Sequence, residues 1–118
     1  MNRAALNADE NIYDDGHLRV EHDNYYVACD GYSLRLPLKE FLILSRLTLH
    51  PGRVVPSEEI WRYAWGGDEK PNTQTIHVQI YRLRRKLAHF GLKIIAMINV
   101  GYSLDKNHLV EKMRDNDG

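Results

Sequence analysis

This sequence predicts an α+β fold of one domain: a small N-terminal antiparallel sheet, three helices and a C-terminal β-hairpin. Three observations carry the prediction. Residues 16–36 fall into short β-prone pieces divided by turn residues, and residues 37–90 hold apolar side chains at helical spacing in three blocks. Residues 93–104 then return to a β pattern around Asn99 and Gly101. At 118 residues the chain can bury a single modest core with a tail on either side.

In chain order, residues 1–15 end in a polar, acidic stretch without sustained periodicity and are expected to be a flexible N-terminal arm, order beginning near Gly16. His17–Val20, Asn24–Ala28 and Ser33–Leu36 are the expected strands, parted by His22-Asp23 and by Asp30-Gly31, a favourable hairpin turn. Pro37 is placed to open the first helix, whose inner stripe is Phe41, Leu44 and Leu47 with Leu38 and Leu49 at its margins; His50-Pro51-Gly52 ends it. Ser57 is the expected cap of a short second helix. Glu58 and Glu59 lie in its first turn, where carboxylates face the positive end of the helix dipole, and Ile60, Trp61 and Ala64 form its inner face. After a polar loop over 66–72, the third helix spans 73–90, started by Asn72 or Thr73 and stopped by Gly91. Two strands, Lys93–Ile98 and Tyr102–Leu104, make the closing hairpin, with Asn99 and Gly101 tolerating the positive φ of a tight turn. Residues 105–118 form a charged C-terminal tail.

The third helix carries the chemistry. Ile76, Ile80, Leu83, Leu87 and Phe90 fall within one narrow arc and form its buried face. Gln74, Val78, Tyr81, Arg82 and Arg85 lie roughly opposite, with Arg84 and Lys86 on the flanks. Arginine suits guanine, glutamine suits adenine and a small apolar group suits the thymine methyl, so this surface fits a DNA major groove. The helix's positive N-terminal end also favours a nearby phosphate. Charge is distributed to match: residues 71–104 hold five Lys/Arg and no Asp/Glu, whereas residues 1–70 hold eight against twelve. A net charge of zero argues against a sequence-blind basic coat and is compatible with a site-specific binder.

Other classes find little support. Six scattered histidines, serines in cap and strand contexts and the lack of a Gly-rich phosphate loop give no enzyme motif. Cys29 stands alone, which fits a reducing cytoplasm and offers no zinc site; no cofactor or metal is expected. There is no secretory pattern and no apolar run near 18 residues, so no membrane association is expected. Trp61 and Trp65 flank the second helix's apolar face and suit core and loop anchoring better than base stacking.

The local words, in their order, resemble the C-terminal effector domain of OmpR/PhoB-type response regulators, a winged helix-turn-helix. LPLKEFLIL (Leu36–Leu44), HPGRVVPSEEI (His50–Ile60), Trp65-Gly66, TIHVQIYRLRRKL (Thr75–Leu87) and NVGYSL (Asn99–Leu104) are similar to successive motifs of that family, and the likeness covers about residues 16–104. It implies a two-component, cytoplasmic transcription regulator that binds double-stranded DNA, with helix 73–90 in the major groove and wing 93–104 near the adjacent minor groove. The DNA-binding residues it implies are Arg82 toward the groove, Gln74, Thr75, Val78 and Tyr81 in groove- or phosphate-facing slots, and Arg84 and Arg85 toward phosphates; Lys93 and Ile98 are the wing candidates. It further implies a homodimer on tandem half-sites and RNA polymerase contact through loop 66–72. No phospho-accepting receiver fits in this length beside such a domain.

The departures are specific. Ile98 stands where the family's wing commonly carries an arginine, Asn99 replaces the following glycine, and Pro37 replaces a threonine cap. Either Ile98 makes an apolar contact, Lys93 substitutes from elsewhere on the hairpin, or the wing contributes little. The competing function is a winged helix serving as a protein-interaction module, supported by the neutral charge and by Ile98.

Overall fold

The computed structural model describes residues 11–105. Its first layer is a four-stranded antiparallel sheet in simple order, β1 (Ile12–Asp14), β2 (Leu18–Glu21), β3 (Tyr26–Cys29) and β4 (Tyr32–Ser33). β1 corrects the expected boundary of the arm. Ile12, Tyr13 and Asp14 pair with Glu21, Val20 and Arg19, so the ordered sheet starts before Gly16. An acidic turn fastens it: Asp15 Oδ1 accepts from the amides of His17 at 2.9 Å and Leu18 at 2.7 Å, and Asp14 Oδ1 accepts from Gly16 at 2.9 Å. Both carboxylates thereby satisfy turn amides. Residues 1–10 of the expected arm, and the tail from residue 106 onward, lie outside the described residues.

β2 and β3 are joined by a single 3₁₀ turn, His22–Asn24, and β3 and β4 by Asp30-Gly31, both with positive φ (50° and 84°), the conformation a two-residue hairpin requires. Alternation sends Leu18, Val20, Val27 and Cys29 inward. Burial pushes the Cys29 thiol up to about 11, which makes it an inert core group.

Three helices follow: α1 (Leu38–Leu49), α2 (Ser57–Trp65) and α3 (Thr73–Ala88). Phe41, Leu44 and Leu47 are buried as expected, together with Ile43, Glu40, Ser45 and Thr48, whereas Leu38 and Leu49 are exposed. α2 begins one residue earlier than a Ser57 cap would give. Pro56 holds the cap position without a side-chain bond, and the Ser57 amide instead donates to the Val100 carbonyl at 3.0 Å. Trp61 is buried and stacks on Trp65 at 4.6 Å, with Lys39 Nζ over the Trp65 ring and donating to the Ala64 carbonyl. α3 stops at Ala88, short of Phe90. Gly91 (φ 74°) turns the chain while the Leu92 amide returns to the Leu87 carbonyl at 3.2 Å.

The second sheet has three strands in the order β5 (Val55–Pro56), β7 (Gly101–Leu104), β6 (Ile94–Met97), so the hairpin is anchored through a strand that the sequence did not announce. Gly101 is needed for a different reason than turn geometry. A Cβ at that position would lie 1.9 Å from the Val55 carbonyl oxygen, so β5 and β7 can approach only across a glycine. Asn99 (φ 64°) alone supplies the positive φ of the turn over residues 98–100. The core lies where the β2–β3 face, the three helices and β7 meet.

Candidate nucleic-acid interface

α3 is fixed at both ends and along one side. At its start, Asn72 Oδ1 accepts from the Thr75 amide at 3.0 Å, which satisfies one of the helix's unpaired donors. Ile76, Ile80, Leu83 and Leu87 are buried in the core. At its end, the buried His17 ring bridges to the N-terminal sheet, with Nδ1 2.6 Å from Asp30 Oδ1 and Nε2 2.7 Å from the Phe90 carbonyl oxygen. A rigid rod therefore presents its outer face.

That face brings Gln74, Val78, Tyr81, Arg82 and Arg85 together, all exposed. Gln74, Val78 and Arg82 recur every four residues and form one row along the helix. Arg82 makes no side-chain hydrogen bond or ion pair among the described residues, while the Arg85 guanidinium sits 5.9 Å from the centroid of the Tyr81 ring, within cation–π range. Thr75 is half-buried, its amide already used by the cap.

Two of the basic residues are occupied elsewhere. Arg84 Nε and one Nη donate to the Ile94 carbonyl at 3.1 and 2.8 Å, and the guanidinium lies 5.8 Å from the Tyr102 ring. It braces α3 against the wing while its guanidinium, exposed and bonded to a neutral carbonyl, keeps its charge. Lys86 donates to Glu40 Oε1 at 2.6 Å, and the Glu40 carboxylate is 2% exposed. The sequence's basic helix is thus less cationic than its letters, because α1 neutralises one of them. Lys93 is exposed but sits at the opposite end of β6 from the wing tip, roughly 16 Å away at ordinary strand rise, and its carbonyl accepts from the Asp105 amide. Ile98 is at the tip itself, in the turn, 81% exposed.

Between the tip and the start of α3 lies an open groove of about 480 Å³, lined by Lys70, Thr73 and His77 on the helix side and by Ile98 and Asn99 on the wing side. Thr73 and His77 were not among the expected site residues. Their i, i+4 spacing places them on one helix flank, but only the position of the wing shows that this flank faces a groove.

A family model described as "Transcriptional regulatory protein, C terminal" matches residues 31–104, the span from the β3–β4 turn to the end of β7. The chain belongs to this family. Among its relatives, the Sensory transduction protein RegX3 of Mycobacterium leprae is 31% identical over 99 residues, covering 81% of this chain and 50% of the relative. In structure, the domain is similar to the DNA-binding domain of CpxR from E. coli (TM-score 0.68, 26% identity, 79% of this chain and 94% of that one). It is also similar to the Klebsiella pneumoniae RstA DNA-binding domain, solved in complex with the RstA box (TM-score 0.67, 25% identity, 79% and 95%). The chain spans about half the length of the curated relatives it matches. As an OmpR/PhoB-type C-terminal domain it has the winged helix-turn-helix architecture that its motifs implied, with α2 and α3 as the helix pair and β6–β7 as the wing. Among the described residues of this family member, no helix is long and apolar enough to cross a membrane, and no group of three or more His, Cys, Asp or Glu could hold a metal ion.

Proposed function

We propose that this domain binds double-stranded DNA sequence-specifically as the effector part of a cytoplasmic transcription regulator. α3 lies in the major groove and the wing lies over the adjacent minor groove. The observation that carries the reading is the exposed row Gln74, Val78, Arg82 on a helix locked along its other side. Arg82, with its donors free among the described residues, reads guanine; Gln74 reads adenine and Val78 meets a thymine methyl. Arg85, steadied by Tyr81, and the N-terminal end of α3 near Thr75 hold phosphates. Relatives crystallised with DNA support the partner.

Lys86 is paired with a carboxylate, whereas Arg84, bonded only to a neutral carbonyl, keeps its charge beside Arg85. Two phosphates neutralised by Arg84 and Arg85, with Arg82 turned to a base, would give a log–log salt slope of about −1.8 per protomer. Two copies on half-sites about one helical turn apart would double it. Loop 66–72, with Asp68, Glu69 and Lys70 exposed, is the surface offered to RNA polymerase. Selection of bound sequences from random duplex DNA tests the proposal: a recovered motif should lose its preference at one base pair in Arg82→Ala, at a cost of about 1–3 kcal/mol. Equal binding of specific and random DNA by wild type and Arg82→Ala would refute it. The competing reading, a protein-interaction module, is favoured by the apolar wing and predicts association that is nearly insensitive to salt.

A further inference from the structure

The wing differs in chemistry from the helix beside it. Ile98 at the tip is 81% exposed, and its neighbours Met97 and Val100 are exposed as well. No charged residue lies between Lys93 and Asp105. An apolar cluster held in water marks a contact surface. This one is rigid: the Val100 amide donates to the Met97 carbonyl at 2.9 Å, the Ser57 amide donates to the Val100 carbonyl at 3.0 Å, and Asn99 is fixed in the left-handed region. The backbone on both sides of Ile98 is therefore set before any partner arrives, so little ordering entropy remains to be lost.

Position identifies the partner. The tip forms the far wall of the groove whose near wall is the start of α3, with Lys70, Thr73 and His77. When α3 occupies a major groove, the sugar–phosphate strand bordering that groove runs between these walls, and the tip stands over the minor groove beyond it. Glu58 also lines the groove, so the strand's fit there depends on the polar helix wall and on the apolar tip rather than on an excess of positive charge.

Resting on the DNA-binding reading above, we propose that Ile98 is an apolar wedge that enters this minor groove and selects a deformable pyrimidine–purine step there. A cation inserted in a minor groove is drawn to narrow A-tracts by their negative potential. An isoleucine gains nothing from that potential. Its gain comes from burial against sugars and base edges, which increases where a step opens, and TA and CA/TG steps open at least cost. The wing thus reads flexibility.

The test is selection from random duplexes with wild type, Ile98→Ala and Ile98→Arg, followed by affinity and bend-angle measurements on the recovered sites. Ile98 is exposed, so both variants should keep the wild-type circular-dichroism spectrum and melting temperature. Wild type should enrich a pyrimidine–purine step at a fixed distance from the α3 motif, bend the duplex, and lose about tenfold in affinity when that step is replaced by a stiff one. Ile98→Ala should keep the α3 motif while losing the step preference and the bend, and Ile98→Arg should move the preference to A-tracts. An α3 motif with no preference at that place in wild type, an A-tract preference in wild type, or the same step preference in Ile98→Ala overturns the wedge and leaves DNA binding standing. No recovered motif with any of the three proteins overturns the DNA-binding reading itself.

Discussion

Replacing Lys86 separates two views of the basic helix. If Lys86 were a solvated or phosphate-seeking side chain, Lys86→Met would leave stability within about 0.5 kcal/mol and reduce only DNA affinity. The structure demands otherwise. Glu40 Oε1 lies 2.6 Å from Lys86 Nζ, and the side chains are 2% and 37% exposed respectively, so removing the ammonium strands a carboxylate inside the α1–α3 contact. Breaking a fully buried pair costs about 3–5 kcal/mol; the water that reaches Lys86 reduces this to about 2–3 kcal/mol here. For a domain of this size that corresponds to a Tm lowered by roughly 10–20 °C. Urea and thermal unfolding of wild type, Lys86→Met, Glu40→Met and the double variant form the assay. The double variant should recover most of the loss, since an apolar pair of similar volume suits the site. A Lys86→Met protein as stable as wild type, or a double variant whose loss is the plain sum of the singles, would refute the reasoning.

Other outcomes follow from single positions. Arg84→Met should loosen the wing before it weakens DNA contacts, seen as faster amide exchange in β6 with a global stability loss of about 1–2 kcal/mol, because two bonds to the Ile94 carbonyl go with the guanidinium. Gly101→Ala places a methyl on the Val55 carbonyl and should unpair β5 from β7, read as loss of the Val55–Tyr102 cross-strand signals. His22 is held below its ordinary value by burial beside Ser45 and Tyr63. A lowered histidine in the folded state means that the unfolded chain binds the extra proton first. His22 therefore contributes stability above about pH 6.5 that is lost as pH falls through its lower folded value, and His22→Gln should melt with a shallower decline between pH 7.5 and 5.

The sequence made legible whatever repeats within one element. The inner stripe of α3 from Ile76 to Leu87, the cap expected at Asn72 or Thr73 and the Asp30-Gly31 hairpin are all local patterns; Asn72 is the cap, and only Phe90 falls outside the helix that the stripe predicted. The short pieces escaped: β1 has three residues and β5 two, too few for an alternation to declare itself. Long-range pairing escaped as well. Nothing near Lys86 names Glu40, 46 positions away, and nothing near Arg84 names the Ile94 carbonyl, so both looked like outward charges. Gly101 was visible as a glycine, but whether it served a turn or a close approach depended on β5. For the site, the helical row of Gln74, Val78 and Arg82 could be read directly, whereas Thr73 and His77 gained meaning only from the wing's placement across from them.

The bridge from His17 to the far end of α3 has a practical consequence. The family match begins at residue 31, yet His17 and four core side chains, Leu18, Val20, Val27 and Cys29, precede it. A fragment trimmed to the matched span would free the end of the reading helix from this hydrogen-bonded peg in the N-terminal sheet and open the hydrophobic floor beneath α1. Its tilt would then wander, and with it the register in which neighbouring base pairs are addressed. Useful boundaries for expression or for grafting onto another sensor therefore start ahead of Ile12.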